Sequence, residues 1–370
     1  MTVKQKIVHN LLNIPGHRTG KKNIVFESDD WGSIRMPSKK AVDELYATGI
    51  NVYSNPFNNL DALESEEDLT SLYEVLCRFK DHHGNHPVIT ANCIVANPDF
   101  DKIKNNNFQN YYWESAADTY AKYSNSTGAL QLFKEGMSSG FIWPQFHGRE
   151  HVNINQWLYA LQNGDAQIMQ AFDKGVFGID FNHTRSIRNN FMAAFDFDTQ
   201  LEATSKESII KEGLDEFEKL YGIKSQSFIA PCYVWHPALE PILKKHGIDY
   251  IQGINYQFAP GYYTSKYKKI FHTQGQRNAC GQRYLVRNAF FEPALNKNIN
   301  WVEDCMQRIR TAFFWGKPAI IGTHRINFTG RLSIDNRENT HRLLQQLLQK
   351  ITATWKDVAF TTSDKLGRLF

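Results

Sequence analysis

Short apolar runs that stop at polar or turn residues alternate along this chain with stretches of helical spacing. The runs fall at residues 23–26, 87–95, 141–146, 176–179, 227–230, 248–251, 284–286, 319–322 and 358–361. Amphipathic stretches lie between most of them, at 37–48, 66–82, 154–174, 205–221, 236–246, 301–315 and 339–351. Apolar strands separated by helices pair in parallel, because each helix returns the chain to the same end of the sheet. About eight such units predict an α/β fold, a distorted (β/α) barrel of seven or eight strands.

A chain of 370 residues fits one such barrel with insertions, so residues 1–370 read as a single domain. The longest departure from the alternation is 97–140, polar and aromatic with no evident strand, which reads as a rim insertion. Basic residues number 42 against 38 acidic ones, with no long basic run, which argues against a nucleic-acid partner. No segment approaches the roughly 18 apolar residues of a membrane span, and no apolar leader opens the sequence, so a cytoplasmic location is expected. The five cysteines form no C-x-x-C pair and read as reduced, mostly buried thiols. Oligomeric state is not legible.

In such a barrel, side chains converge over the C-terminal ends of the strands, so a polar residue right after an apolar run carries most weight. That filter retains Asp29 and Asp30, His147 and His151, residues 230–233 and His324. His147 and His151 form an H-x-x-x-H spacing, which lets two imidazoles meet on one metal ion. With 13 histidines the spacing arises by chance about half a time per chain, and His82 and His86 repeat it. The second pair precedes a strand, on the opposite rim, and reads as a solvated loop. Asp30 completes the first set: two imidazoles and one carboxylate leave positions open for water and substrate. Adjacent aspartates can also cap a helix or form a surface turn, but neither explains two carboxylates at the end of a buried strand. With Asp30 on the cation, Asp29 can turn toward the polarised water as general base.

Together these segments resemble the polysaccharide deacetylase family, the NodB-like carbohydrate esterases of family 4, over about residues 20–365. Phe26-Glu-Ser-Asp29-Asp30-Trp31-Gly32 is similar to the family's T-F-D-D-G segment, with Asp29 at the base position and Asp30 at the metal-ligand position. Phe146-His147-Gly-Arg-Glu-His151 is similar to H-[ST]-x-x-H, which supplies the other ligands. Residues 229–232 fall where the family has R-x-P-Y, and residues 321–324 fall where a strand ends in the acid histidine, His324. The resemblance implies a metal-dependent deacetylase in which the Cys232 N–H, after Pro231, faces the oxyanion. Three departures mark a divergent branch. Ile229 stands where an arginine holds the base, with Arg287 as the substitute. Cys232 replaces a tyrosine. No carboxylate is placed beside His324.

The leading account is removal of an acetyl group from an N-acetylated sugar, a nucleotide-sugar or a lipid-linked glycan. A histidine acid favours amides, because an amine leaves only when protonated. One divalent ion is expected, zinc by default, with cobalt, nickel or iron(II) compatible with the donors. Trp31, Tyr233, Trp235, Arg325 and Asn327 are candidate substrate contacts. Tyr111, Tyr112, Trp113, Trp143, Tyr262 and Tyr263 are further candidate stacking platforms for sugars, and Arg331 and Arg337 could join Arg325 in receiving a carboxylate, phosphate or pyrophosphate. The alternatives are an amidohydrolase acting on a small non-sugar amide or cyclic imide, and a carbohydrate-binding relative that has lost catalysis.

Overall fold

Strand β1 (Asn23–Trp31) is buried at all nine positions, as a strand covered on both faces must be. It lies in a computed structural model that describes residues 3–179, 191–264 and 266–370. The other strands are β2 (Ile89–Ile94), β3 (Ala96–Pro98), β4 (Trp113–Ser115), β5 (Ile142–Gly148), β6 (Ser227–Ile229) and β7 (Tyr250–Gly253). After them come β8 (Tyr256–Ala259), β9 (Lys268–Phe271), β10 (Arg283–Val286), β11 (Ala289–Phe290), β12 (Ala319–His324) and β13 (Ala359–Phe360).

Nine strands form one parallel sheet in the order β10-β7-β6-β5-β2-β1-β12-β11, with β13 added on β1. Its two edges, β10 and β11, are consecutive in the chain and separated only by Arg287 and Asn288. Those two residues reach at most about 11 Å, so the sheet must curl until its edges nearly meet. Arg287 N–H donates to Gly253 O of β7 and Asn288 N–H to Ile320 O of β12, so the seam is bridged at the residue that turns out to matter. The architecture is a distorted (β/α) barrel. Helices pack around it, with Ala129–Ser138 and Gln200–Tyr221 against β5 and Trp301–Phe314 against β11 and β12. No helix of the described residues is long and apolar enough to cross a membrane.

Local chemistry explains where the structure differs from the sequence expectations. Residues 176–179 are not a strand; Val176, Phe177 and Ile179 are buried by packing alone. The stretch 154–174 is two helices, Ile154–Gln162 and Ala166–Phe172, broken at Gly164 (φ +66°) and restarted by Asp165, whose carboxylate accepts from Gln167 and Ile168 N–H. The insertion 97–140 does hold a strand: β4 pairs antiparallel with β3, each three residues long and below what periodicity can reveal. The hairpin β8–β9 was equally illegible. Only Cys93 and Cys305 are buried, Cys77 is exposed, and none of the five is in a disulfide.

Candidate metal centre and active site

The end of β1 is where the backbone departs from regularity. Its register against β2 shifts between Ser28 and Trp31, and Asp30 adopts φ +78°, which is rare for a residue with a Cβ. A bulge of this kind re-aims side chains, so neighbouring Asp29 and Asp30 serve different partners. Strain recurs across the cavity, where Cys232 and Tyr233 follow β6 with φ +55° and +58°. Such conformations cost about 1–3 kcal/mol each and persist where the surroundings hold them.

Asp30 meets His147, the sixth residue of β5, and His151, which lies in the loop after it. Asp30 Oδ1 is 3.3 Å from His147 Nε2 and 3.1 Å from His151 Nε2. All three residues are buried, and no hydrogen bond satisfies that oxygen. The reason lies in the tautomer: His147 Nδ1 is 2.8 Å from Ile229 O, an acceptor, so it carries the proton. In the neutral imidazole Nε2 of His147 then turns a lone pair toward a carboxylate lone pair, an arrangement that a metal cation between them reconciles. Burial opposes Asp30 ionisation, but the two imidazoles facing it, His151 foremost, outweigh burial and hold its carboxyl well below the usual range. Burial also lowers His151, against the opposing pull of Asp30, which favours the neutral imidazole a metal needs. These three form the group of metal-capable side chains found among the described residues. Within the same turn, Arg149 is spent on Glu150 and Glu212 and packs on Tyr111 and Trp113, fixing the path between the two histidines.

Asp29 faces a different set. Arg287 donates to it twice, Nη2 to Oδ1 at 2.6 Å and Nη1 to Oδ2 at 2.8 Å, and Asn92 Nδ2 donates to Oδ1 at 2.7 Å. Arg287 Nε meanwhile donates to Glu27, which accepts also from Ser363, so the guanidinium is anchored from below. Burial pushes the Asp29 carboxyl up, but Arg287 outweighs it and holds it below the usual value. Thus Arg287, at the seam of the sheet, stands where the resemblance lacked its arginine.

His324 is paired with Asp29 in the β1–β12 register, and its Nε2 lies 3.7 Å from Asp29 Oδ2. Its Nδ1 is 2.7 Å from Glu292 Oε1, and Glu292 also accepts from Asn327 Nδ2 at 2.7 Å. Burial acts to lower the His324 pKa; the charge and hydrogen bond of Glu292, with Asp29 and Asp30, outweigh it and push the pKa up to about 10. Glu292 is the carboxylate that sequence reasoning did not place. It follows Ala289–Phe290, an apolar run too short to register as a strand.

Asp29, Asp30, His147, His151 and His324 open on one cavity of about 290 Å³, walled by Arg35, Phe57, Cys232 and Tyr233. Tyr233 Oη accepts from Arg287 at 3.1 Å, and Pro231 is buried at the start of the same turn. The remaining candidate contacts are corrected. Trp31 and Trp235 are 1% exposed, with their indole N–H groups on Ser28 and Glu240, and neither lines the cavity. Arg325 is fully buried and spent on Asp61, Glu64 and Ser33 O, while Asn327 supports Glu292. Arg337 pairs with Glu67 and Asp68, and Arg331 with Ser126. Of the aromatics expected to contact a sugar, only Tyr233 reaches the cavity. A second cavity, of about 220 Å³ beside helix Val3–Asn13, is lined by no carboxylate.

No family model matches the sequence, and no curated protein matches it. Several similar solved structures are polysaccharide deacetylases. One assigned to that class, from Mycobacterium smegmatis, is 10% identical at a TM-score of 0.44, covering 94% of this chain and 90% of that one. An allantoinase is 9% identical at 0.43, covering 96% and 94%. A 4-alpha-glucanotransferase from Thermococcus litoralis is 11% identical at 0.45; the match covers 95% of this chain and only 40% of that longer one. At such values the likeness carries no argument about activity, which has to come from the side chains themselves.

Proposed function

We propose that the chain is a metal-dependent hydrolase that removes an acetyl or similar short acyl group from an amine, with an N-acetylated sugar unit as the leading substrate. The observation that carries this is the convergence of two imidazole Nε2 atoms on one unsatisfied Asp30 oxygen, beside an arginine-held Asp29 and a glutamate-held His324. Asp30, His147 and His151 would hold one divalent ion, zinc by default. When bound, such an ion supplies Lewis acidity, making water a nucleophile near neutral pH and polarising the acyl carbonyl.

The chain's own groups handle the protons. Asp29 Oδ1 takes two donors, but Oδ2 takes one from Arg287 and keeps a lone pair on the side of His324. That lone pair receives the proton of the attacking water. His324, kept as imidazolium by Glu292, delivers a proton to the departing nitrogen, without which an amine is a poor leaving group. The Cys232 N–H is our assignment for the oxyanion donor, an interaction worth about 3 kcal/mol.

The cavity of about 290 Å³ sits at the low end for ligand sites, enough for one sugar unit or a compact amide. With a single aromatic of the expected platforms in its wall, it equally supports the second reading, an amidohydrolase of small non-sugar amides or cyclic imides. A purely binding role was motivated by the absent arginine, and Arg287 removes that motive. The test is acyl release by the zinc-loaded chain from a panel of acetamido sugars, N-acyl amines and cyclic imides. Release that vanishes with chelator and with D29N supports the proposal; a chain that binds one zinc and releases nothing from any member rejects it.

A further inference from the structure

Five arginines are buried among the described residues: Arg35, Arg149, Arg287, Arg325 and Arg337. Four are spent on carboxylates: Arg149 on Glu150, Arg287 on Asp29, Arg325 on Glu64, and Arg337 on Asp68. Arg35 is the exception. It is 7% exposed, its Nε is sealed from solvent without a hydrogen-bond partner, and among the described residues it forms no ion pair, acting on Asp61 only through space. A buried guanidinium left unpaired costs several kcal/mol, so a protein that keeps one is holding a place for an acceptor.

Arg35 also lies in the wall of the active-site cavity. Its guanidinium carbon sits 5.2 Å over the ring of Phe57, and that ring stands 5.2 Å from the His324 imidazole. One aromatic ring therefore separates the candidate acid from the unpaired cation. Space for the head group is kept by Gly178, where a Cβ would come within 3.0 Å of Arg35 Nε and 3.2 Å of Cζ. The nearby carboxylate, Asp61, gives its Oδ1 to two bonds from Arg325 and forms no ion pair with Arg35.

We propose that Arg35 recognises an oxyanion, a carboxylate or a phosphate, carried by the substrate a few bonds from the acyl group to be cleaved. The substrate class then narrows to acidic acyl compounds, an inference that rests on the hydrolase reading only for the acyl half. Planar guanidinium geometry suits either oxyanion as a bidentate partner. The charge would orient the acyl group toward Asp29 and His324 before reaction.

Two measurements separate this from the hydrolase reading. Calorimetric titration of the zinc-loaded full chain with inorganic phosphate and, separately, lactate needs no turnover. At least one is expected to bind, at least tenfold more weakly in R35Q and with intermediate affinity in R35K, at unchanged zinc content. Equal affinity in wild type and R35Q, or no binding of either anion, overturns the proposal. In the second, hydrolysis of N-acetylglucosamine 6-phosphate and N-acetylmuramic acid is compared with that of N-acetylglucosamine. The ratio of kcat/KM, charged over neutral, should fall at least tenfold in R35Q, mainly through KM. If no compound is hydrolysed while the anion titration depends on Arg35, the sugar-substrate reading falls and the anion site stands. If hydrolysis proceeds with a ratio that R35Q leaves intact, the reverse holds. R35M guards against a merely structural role: without its unpaired charge the anion-free protein should melt at or up to about 4 °C above wild type. A lowered Tm with anion binding retained would make Arg35 a strut and overturn the proposal.

Discussion

Two pairs of histidines share the same spacing in this chain and differ in everything else. His147 and His151 sit at and just beyond the C-terminal end of a central strand, both buried, with both Nε2 atoms turned to one carboxylate oxygen. His82 and His86 occupy the loop before β2, His82 exposed and His86 half-buried, each satisfied by a single carbonyl: Val358 O at 2.6 Å and Phe79 O at 2.7 Å. The difference teaches that the interval between ligands is weak information. What matters is whether a third, unsatisfied donor atom is delivered to the same point by another strand, and among the described residues the C-terminal ends of β1 and β5 do that.

The sharpest way to break the comparison is to remove the shared carboxylate. D30A should lower bound zinc from about one ion per chain to near zero, read by elemental analysis after dialysis, and lower acyl release by about a thousandfold or more. Zinc retained at full stoichiometry in D30A would place the ion elsewhere. D29N should behave differently one residue away: metal content unchanged, turnover down about a hundredfold. An active D29N would remove Asp29 as base.

A smaller effect is expected from E292Q, and its sign follows from the pKa of His324. That pKa is raised from the ordinary 6.5 to about 10, so the imidazolium is favoured by folding. Its stabilisation is present in full below pH 6.5 and is lost as pH rises toward 10. Without the Glu292 charge the imidazolium loses its main support, and the alkaline limb of the kcat/KM profile should move to lower pH, with kcat down about tenfold. The Tm difference between wild type and E292Q should shrink above pH 10. An alkaline limb that stays in place in E292Q would show that His324 is not the group titrating there.

How much of this was legible follows from what each residue needs to announce itself. The alternation of apolar runs and helices pointed to the parallel barrel, because burial of both sheet faces leaves a composition signal at every strand. Asp30, His147, His151, Asp29 and His324 each follow or end a long apolar run, and the structure does bring them to one cavity. Glu292 obeys the same rule behind a strand of two residues, too short to be read. Asn92 lies inside β2, where nothing in the sequence separates an inward amide from a structural one. Arg35 belongs to the loop after the β1 bulge and has no periodicity at all. Arg325 and Asn327 show the opposite error: standing just past a strand says that a side chain is near the rim, not whether it turns into the cavity or under it.

The smallest effect closes the comparison from the other side. In H82A/H86A each substitution removes one partly exposed hydrogen bond to a main-chain carbonyl, worth about 1 kcal/mol apiece. The double variant should therefore melt only a few degrees below wild type, on the order of 1–2 °C per kcal/mol for a chain of this size. It should bind as much zinc as wild type and release acyl groups at the same rate. The reason is positional: in a parallel barrel the N-terminal rim, where this loop lies, contributes stability while the opposite rim carries the chemistry. Loss of bound zinc in H82A/H86A would show that the interval between the histidines, rather than their delivery to Asp30, decides where the metal goes.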